Sequence, residues 1–428
     1  MSRLKNVLMK IRNNWKKSVF GSVALVYGVN LGNEKYLKSC MLREYCETAA
    51  QFGEAPIGAV QKPRHITVIL NPAANRRQAK LQYELYCAPI LNLSGASVDV
   101  LQTTGEGGGR TLVEKLSTET DAIIVAGGDG TVSEVITGLL RRFEGNIHKA
   151  LQIPIGILPL GRTNSVIKSL VKIDENELKE KVLTDAAMNV VNEKTKRLDV
   201  ISVQLTEDLP IGKRPIYALS SVEWGALRNA DAAQDKYWYY GVFRNYMSYL
   251  FHGTPKSEVQ TELSFTPPCT GCNNCFSIRK DLHKEEGHSK KWWHYFLPVM
   301  SRQSSEKTVD YSSIINPDCS QVTNKKVESI NLAITTTNIQ PESSSDIPHL
   351  NVYIAEPEMS YIDFVKKGFK RIEDRVFEAP ESFEAHILEL HPVLKTDEEM
   401  YFSIDNEPYE VRPVKITLLP KSINVFCS

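Results

Sequence analysis

A run of five apolar residues, Ala122-Ile123-Ile124-Val125-Ala126, leads directly into Gly127-Gly128-Asp129-Gly130-Thr131. An unbroken β-branched and apolar run of this length is what a strand buried on both faces requires. After the glycines, Val132, Val135, Ile136 and Leu139 recur at helical spacing, which predicts an amphipathic helix over Val132–Arg142. A doubly buried strand joined to a helix by a tight loop belongs in a parallel sheet built from right-handed βαβ units. Neighbouring segments repeat the pattern: strands at Ile66–Leu70, Ser97–Gln102 and Ile153–Leu158, with helical patterns at Arg76–Leu91 and Glu106–Leu116.

The loop also dictates chemistry. Consecutive glycines let the backbone approach a bulky anion closely, and their N–H groups with the helix start form a phosphate-binding nest. A carboxylate there repels phosphate. Asp129 therefore suits a different role, either handling a cation or taking a proton from an acceptor hydroxyl. Asn71-Pro72, Thr103-Thr104-Gly105 and Pro159-Leu160-Gly161 end the other three strands. All four ends fall on the carboxyl edge of the sheet, where ligands of open α/β sheets bind. Neither GxxxxGK[ST] nor GxGxxG is present, so ATP bound here is held without a P-loop lysine.

After about Lys196 the texture changes to short alternating runs, at Leu198–Val203, Pro215–Ser220, Ile330–Thr335, Leu350–Ile354, Met400–Ile404 and Val414–Leu419. These predict an antiparallel β-sandwich. The expected organisation is an N-terminal segment over residues 1–60, an open α/β nucleotide-binding domain over 61–197, and a sandwich over 198–428 interrupted by an insertion at 257–324. Lys+Arg and Asp+Glu are both 51, a balance that argues against nucleic acid as a partner.

The first acid is Glu34, preceded by Arg3, Lys5, Lys10, Arg12, Lys16 and Lys17 and by an apolar stretch, Ser18–Leu31. An acid-free basic start reads as mitochondrial targeting, with the apolar stretch, too short to span comfortably, kept as a membrane anchor in or dipping into a bilayer interface. A frayed basic tail leading into an ordinary buried helix is the alternative. Cys40–Gln61 reads as a helix followed by a linker.

On Leu70-Asn71-Pro72, Gly127–Thr131 with Glu134-Val135 and Gly138, Pro159-Leu160-Gly161, Trp224-Gly225, Asp235-Lys236-Tyr237 and Ser403-Ile404-Asp405-Asn406-Glu407, the sequence resembles the diacylglycerol/sphingosine lipid kinase family, from about Arg64 to Lys421. The first cluster is shared with NAD kinases; the later ones make the lipid kinase reading specific. The resemblance implies that Asn71, Thr103, Gly127, Gly128, Gly130 and Thr131 bind ATP. It offers Asp129 and Asp405 as alternatives for the general base, and Asp405 with Glu407 as reaching Mg2+, directly or through water. It also implies that Asp231 holds the polar head of the lipid and that Arg244 binds phosphate. The implied reaction is ATP-dependent phosphorylation of mono- and diacylglycerol to lysophosphatidic and phosphatidic acid.

Likeness to mitochondrial members implies the inner membrane, facing the intermembrane space, and a kinase-independent role among the subunits of the carrier translocase there. A NAD kinase-like enzyme and a purely structural translocase subunit are the alternatives. Three departures stand out: Asn406 replaces a Gly, Gly161-Arg162-Thr163-Asn164-Ser165 replaces Gly-Thr-Gly-Asn-Asp, and Trp238 stands at a sphingosine kinase arginine.

Three features lie outside that core. Cys269-x2-Cys272-x2-Cys275, with His283, His288 and His294 downstream, can bind zinc, form disulfides, or merely belong to a loop peculiar to this lineage. Tyr237-Trp238-Tyr239-Tyr240 with Phe243 and Tyr246 suits either lipid contact or ordinary core and interface packing. Lys290–Phe296 is basic and aromatic, as an interfacial segment or a docked short helix would be.

Overall fold

The computed structural model describes residues 14–54, 62–116, 119–161, 164, 178–206, 214–253, 259–269, 272–273, 314–339, 347–374, 379–393 and 400–427. Cys275, the three histidines, Arg162, Thr163 and Lys290–Phe296 lie outside these residues.

Helix α1 (Trp15–Gly53) comes first, followed by β1 (His65–Leu70), β2 (Ser97–Gln102), α2 (Gly108–Glu114), β3 (Ala122–Gly127), α3 (Asp129–Arg142), β4 (Ile155–Pro159) and α4 (Lys179–Val191). The four strands are parallel in the order β2-β1-β3-β4. Ile66, Val68 and Leu70 face α1, α4 and the irregular helical segment after β1, while Ile69, Ile123 and Val125 face α3. Val132, Val135, Ile136 and Leu139 are all buried, as their spacing predicts. Each such side chain stabilises by about 1.5–3 kcal/mol. The helix itself starts three residues earlier than the periodicity indicated, at Asp129. The apolar pattern begins only where the helix meets the core, so Asp129, Gly130 and Thr131 in the first turn carry no periodic signal.

The second half follows as β5 (Thr195–Leu205), β6 (Ile216–Ala218), β7 (Ser221–Gly225), α5 (Ala226–Ala232), a 3-10 segment (Ala233–Phe243), α6 (Arg244–Leu250), β8 (Val259–Thr266), β9 (Thr323–Ser329), β10 (Asn331–Thr336), β11 (Leu350–Ile354), α7 (Tyr361–Asp374), β12 (Glu381–Ala385), β13 (Ile387–Pro392), β14 (Tyr401–Ile404), β15 (Glu407–Glu410) and β16 (Val414–Phe426). One sheet is wholly antiparallel, in the order β12-β11-β10-β7-β14-β15. It packs on the antiparallel part of the other sheet around Trp224, Leu263, Ile334, Val352, Leu388, Phe402 and Ile416.

The two halves share a sheet. β16 pairs antiparallel with β13 along Val414–Thr417 and with β5 along most of its length, then runs parallel to β4 through Val425 and Ile155. A register shift between Leu419 and Ile423, with Lys421 at φ 48°, lets one strand serve both halves. β8 falls inside the stretch expected as insertion: Val259, Thr261 and Leu263 alternate inward in its sequence and are buried.

Helix α1 is longer than expected and carries two environments. Leu42, Tyr45, Cys46 and Ala49 pack on the body, the Tyr45 hydroxyl donates to Asp185, and Lys38 pairs with Glu180 at 2.7 Å. Further toward its start, Phe20, Val23, Leu25, Val26, Tyr27 and Val29 are exposed. At 100° per residue they point all round the helix. The buried-helix alternative is therefore overturned for that stretch. Among the described residues no helix is long and apolar enough to cross a membrane.

Candidate functional site

The parallel register brings the four strand ends to one edge. The Asn71 N–H donates to the Ala126 carbonyl (3.0 Å) and the Thr103 N–H to the Leu70 carbonyl (2.9 Å), while the Leu160 N–H donates to the Gly127 carbonyl (3.1 Å). Asn71 then bends the chain: its Oδ1 accepts from the Ala73 N–H (3.1 Å) and its Nδ2 donates to Thr131 Oγ1 (3.1 Å). The first strand end is thus tied to the first turn of α3.

The loop is closely packed around its glycines. A Cβ on Gly161 would strike the Gly128 backbone, and one on Gly127 would lie 2.6 Å from Thr131 Oγ1. Asn164 holds the Gly161 turn, accepting from the Gly161 N–H (3.1 Å) and donating to the Gly161 carbonyl (3.0 Å). Gly107, at φ 70°, opens α2, and Glu134 accepts from the Gly107 N–H (2.6 Å) and the Gly109 N–H (2.8 Å). A carboxylate from α3 therefore caps the positive end of α2 and fixes the Thr103–Gly109 loop beside the nest.

The opposite wall comes from the far end of the chain. β14 and β15 are joined through Asp405 (φ 47°) and Asn406 (φ 70°), the left-handed pair of a type I′ hairpin. Asn406 Nδ2 reaches Asp129 Oδ2 at 3.2 Å. The same hairpin puts Glu407 against Gly130, where a Cβ would collide with its carboxylate. Burial pushes the Glu407 carboxyl upward, and the negative charges of Glu134, Glu106 and Asp129 push it further. Asp129 is itself buried.

Asp405 is placed differently from the expectation. Its Oδ2 accepts from the Leu219 N–H (2.7 Å), and its Oδ1 from the N–H groups of Ser220 (2.8 Å) and Ser221 (3.1 Å) and from Ser220 Oγ (2.5 Å). It is 1% exposed. Burial raises its pKa despite these four donors, which pull the other way. A carboxylate so engaged anchors the hairpin: Oδ1 takes three donors, while Oδ2 takes the Leu219 N–H. Glu407, half-buried beside Gly130, has a carboxylate of the hard oxygen kind that suits Mg2+.

Asp231, on α5, belongs to a second cluster. Tyr249 Oη donates to its Oδ1 (2.6 Å) and Arg371 Nε to its Oδ2 (2.8 Å). Arg371 also pairs with buried Glu223. Burial alone would lower the Arg371 guanidinium, but Glu223 and Asp231 overcome it and hold it well above its ordinary value. Burial, then Asp231, raises the Tyr249 phenol well above its own. Ser221 links the two clusters, donating its N–H to Asp405 and its hydroxyl to Glu223 (3.1 Å). Arg244 opens α6 and, with Asn75 and Arg76 from the segment after β1, lines a cleft of about 520 Å³. Asn75, Arg76 and Arg77 are all left-handed, a costly conformation for such residues, and the first two line that cleft.

The 3-10 segment turns its aromatics outward: Trp238 is 70% exposed, Tyr239 60% and Phe243 60%. This excludes core packing for these three and leaves lipid contact or interface packing, whereas Tyr237 stacks on Phe251 and Tyr246 meets Phe369 edge-on. Glu223, Arg371, Tyr249 and the Ser220-Ser221 pair did not emerge from the sequence as site residues. The one available signal was a lone acid, Glu223, between Val222 and Trp224.

Two family models place this fold and site among lipid kinases of the diacylglycerol kinase class. Residues 65–203 match the diacylglycerol kinase catalytic domain and residues 219–428 the acylglycerol kinase C-terminal region. A solved structure from Bacillus anthracis str. Sterne, described as a diacylglycerol kinase, shares the fold at TM-score 0.50 and 16% identity, over 86% of this chain and 98% of that one.

The chain belongs to the acylglycerol kinase family. It is 32% identical to mitochondrial acylglycerol kinase of Xenopus laevis, over 100% of this chain and 96% of that one. It is 33% identical to that of Mus musculus, over 97% and 95%.

Proposed function

We propose that this lipid kinase phosphorylates the free hydroxyl of mono- and diacylglycerol with ATP, giving lysophosphatidic and phosphatidic acid. The observation that carries this reading is the Asn406–Asp129 hydrogen bond. It brings the one acid of the glycine nest against the β14–β15 hairpin of the second half, and a nucleotide and an acceptor alcohol would meet beside that junction. In this reading Asn71, Thr103, Gly127, Gly128, Gly130 and Thr131 position ATP, and backbone N–H groups of the nest hold its phosphates. Asp129 takes the acceptor's proton as its oxygen attacks the γ-phosphorus in line. Glu407 would hold Mg2+, directly or through water, and the ion neutralises phosphate charge when bound.

Asp405 is a positioning residue that sets the hairpin and therefore Asn406 and Glu407. Asp231, paired with Arg371, accepts from a hydroxyl of the glycerol head. Arg244, with Arg76 across the cleft, supplies positive charge to phosphate. In this reading the nucleotide half extends to about residue 197 and the lipid half follows it.

We also propose a mitochondrial location on the inner membrane, facing the intermembrane space. The exposed aromatic segment and the uncovered apolar part of α1 support membrane contact. Ser18–Leu31 reaches only about 21 Å at 1.5 Å per residue, against about 30 Å of hydrocarbon. It would therefore lie in the interface. The same uncovered helix supports the second role, as a subunit of the carrier translocase.

The test is transfer from radiolabelled ATP to a panel of monoacylglycerol, diacylglycerol, sphingosine and NAD, repeated with Asp129→Asn. Labelled lysophosphatidic and phosphatidic acid, lost in the variant, are expected. Label on NAD alone overturns the reading. Carrier import that survives Asp129→Asn but fails without residues 14–37 is expected for the translocase role; import unaffected by that deletion rejects it.

A further inference from the structure

The geometry points to a second, non-catalytic site: Cys269, Cys272 and Cys319 bind one soft divalent metal ion, zinc, at the base of the excursion between β8 and β9. The two strands pair antiparallel from Val259↔Ser329 to Phe265↔Thr323, so the outgoing and returning chains lie side by side. Beyond the strand ends the pairing is renewed, with the Asn273 N–H donating to the Ile314 carbonyl at 2.8 Å. A single 3-10 turn, Pro317–Ser320, then presents Cys319 to the Cys269-x2-Cys272 pair. Asn316 caps that turn by accepting from the Asp318 N–H (3.0 Å).

The three sulfurs lie within 4.8 Å of one another. With Zn–S near 2.3 Å, a tetrahedral site spaces its sulfurs about 3.8 Å apart, so an inward shift of about an ångström at most completes it. Cys272 is fully buried and the other two are half-buried. Asn316 Nδ2 also points at Cys269 Sγ (3.2 Å). An amide N–H directed at a sulfur is the outer hydrogen bond that steadies a ligating thiolate and fixes its orientation.

A disulfide would use two of the three sulfurs; a metal uses all three. Binding converts three thiols to thiolates and releases three protons, and a water or another donor completes the tetrahedron. Such an ion ties the two ends of a long excursion, which is where a cross-link restricts the unfolded chain most. Spacing alone grouped Cys269 and Cys272 with Cys275 and the downstream histidines. Cys319 enters only through the fold.

The full chain, purified under reducing conditions without chelator, should carry one equivalent of zinc by elemental mass spectrometry. Cys272→Ser and Cys319→Ser should each lower that at least tenfold, while Cys40→Ser, on the exposed face of α1, leaves it unchanged. Cobalt added to the zinc-depleted wild-type chain should give thiolate-to-metal charge-transfer absorption, a readout independent of how well the serine variants fold. Absence of stoichiometric zinc and of the cobalt band overturns the proposal. So does zinc retained in both serine variants, or a disulfide between any two of these cysteines found by peptide mapping.

Discussion

Replacing Asp405 by alanine separates an anchoring acid from a chemical one. The substitution strips the partner from three backbone N–H groups, of Leu219, Ser220 and Ser221, and from the Ser220 hydroxyl. At 1% exposure the site gives water little access to replace it. Each buried donor left unsatisfied costs about 1–3 kcal/mol. These costs are not additive at one carboxylate, and removing one partner of a buried charged cluster costs about 3–5 kcal/mol in total. With about 2–4 °C per kcal/mol for a folding unit of 150–250 residues, the melting temperature should fall by about 6–20 °C. The assay is a thermal melt followed by circular dichroism, run beside lipid phosphorylation at a temperature where the variant is still folded. Asp129→Asn in parallel should melt close to wild type while turnover falls by about 10²–10⁴. An Asp405→Ala protein that melts like wild type yet loses all turnover would refute the anchoring argument and return this carboxylate to the chemistry.

Glu407→Gln should stabilise the unliganded protein at neutral pH and impair the enzyme. Its carboxyl is raised by burial and neighbouring acids, so its contribution to stability is full below the unfolded-state pKa and is lost as pH rises through the folded one. The gain should be seen in melts at pH 7 and vanish at pH 4. Gly161→Ala should abolish ATP binding, measured by calorimetry, because its Cβ meets the Gly128 backbone. Trp238→Glu with Phe243→Glu should leave the melt unchanged, since both side chains are solvent-facing, and cut partition onto anionic vesicles at least tenfold in sedimentation.

What could be read in advance divides along physical lines. β1, β3 and β4 were legible because they are buried and mostly apolar or β-branched; β2, an exposed edge strand, was legible only in its alternation. Asn71, Thr103 and the Gly127–Thr131 loop were legible because strand ends and glycines mark themselves locally. The shared sheet was not, since it rests on Val425 lying beside Ile155, a pairing no local pattern announces. The state of Asp405 was not legible either: a motif places an acid in a turn, but its donors come from the β6–β7 junction about 185 residues earlier in the chain. Arg371 sits on an amphipathic helix like many surface arginines, and only the fold carries it to Glu223 and Asp231. β8 was legible in its alternation, but the Pro- and Cys-rich sequence after it made the whole stretch read as irregular.

The central claim is that Asp129, in the glycine nest at the carboxyl edge of the sheet, serves the transfer step and not the binding of ATP. Single-turnover transfer of labelled phosphate to monoacylglycerol, with ATP affinity measured on the same Asp129→Asn preparation, tests it most directly. Affinity within a few-fold of wild type together with a transfer rate lowered by about 10²–10⁴ is the predicted result. Transfer at the wild-type rate, or a defect confined to ATP affinity, would contradict it.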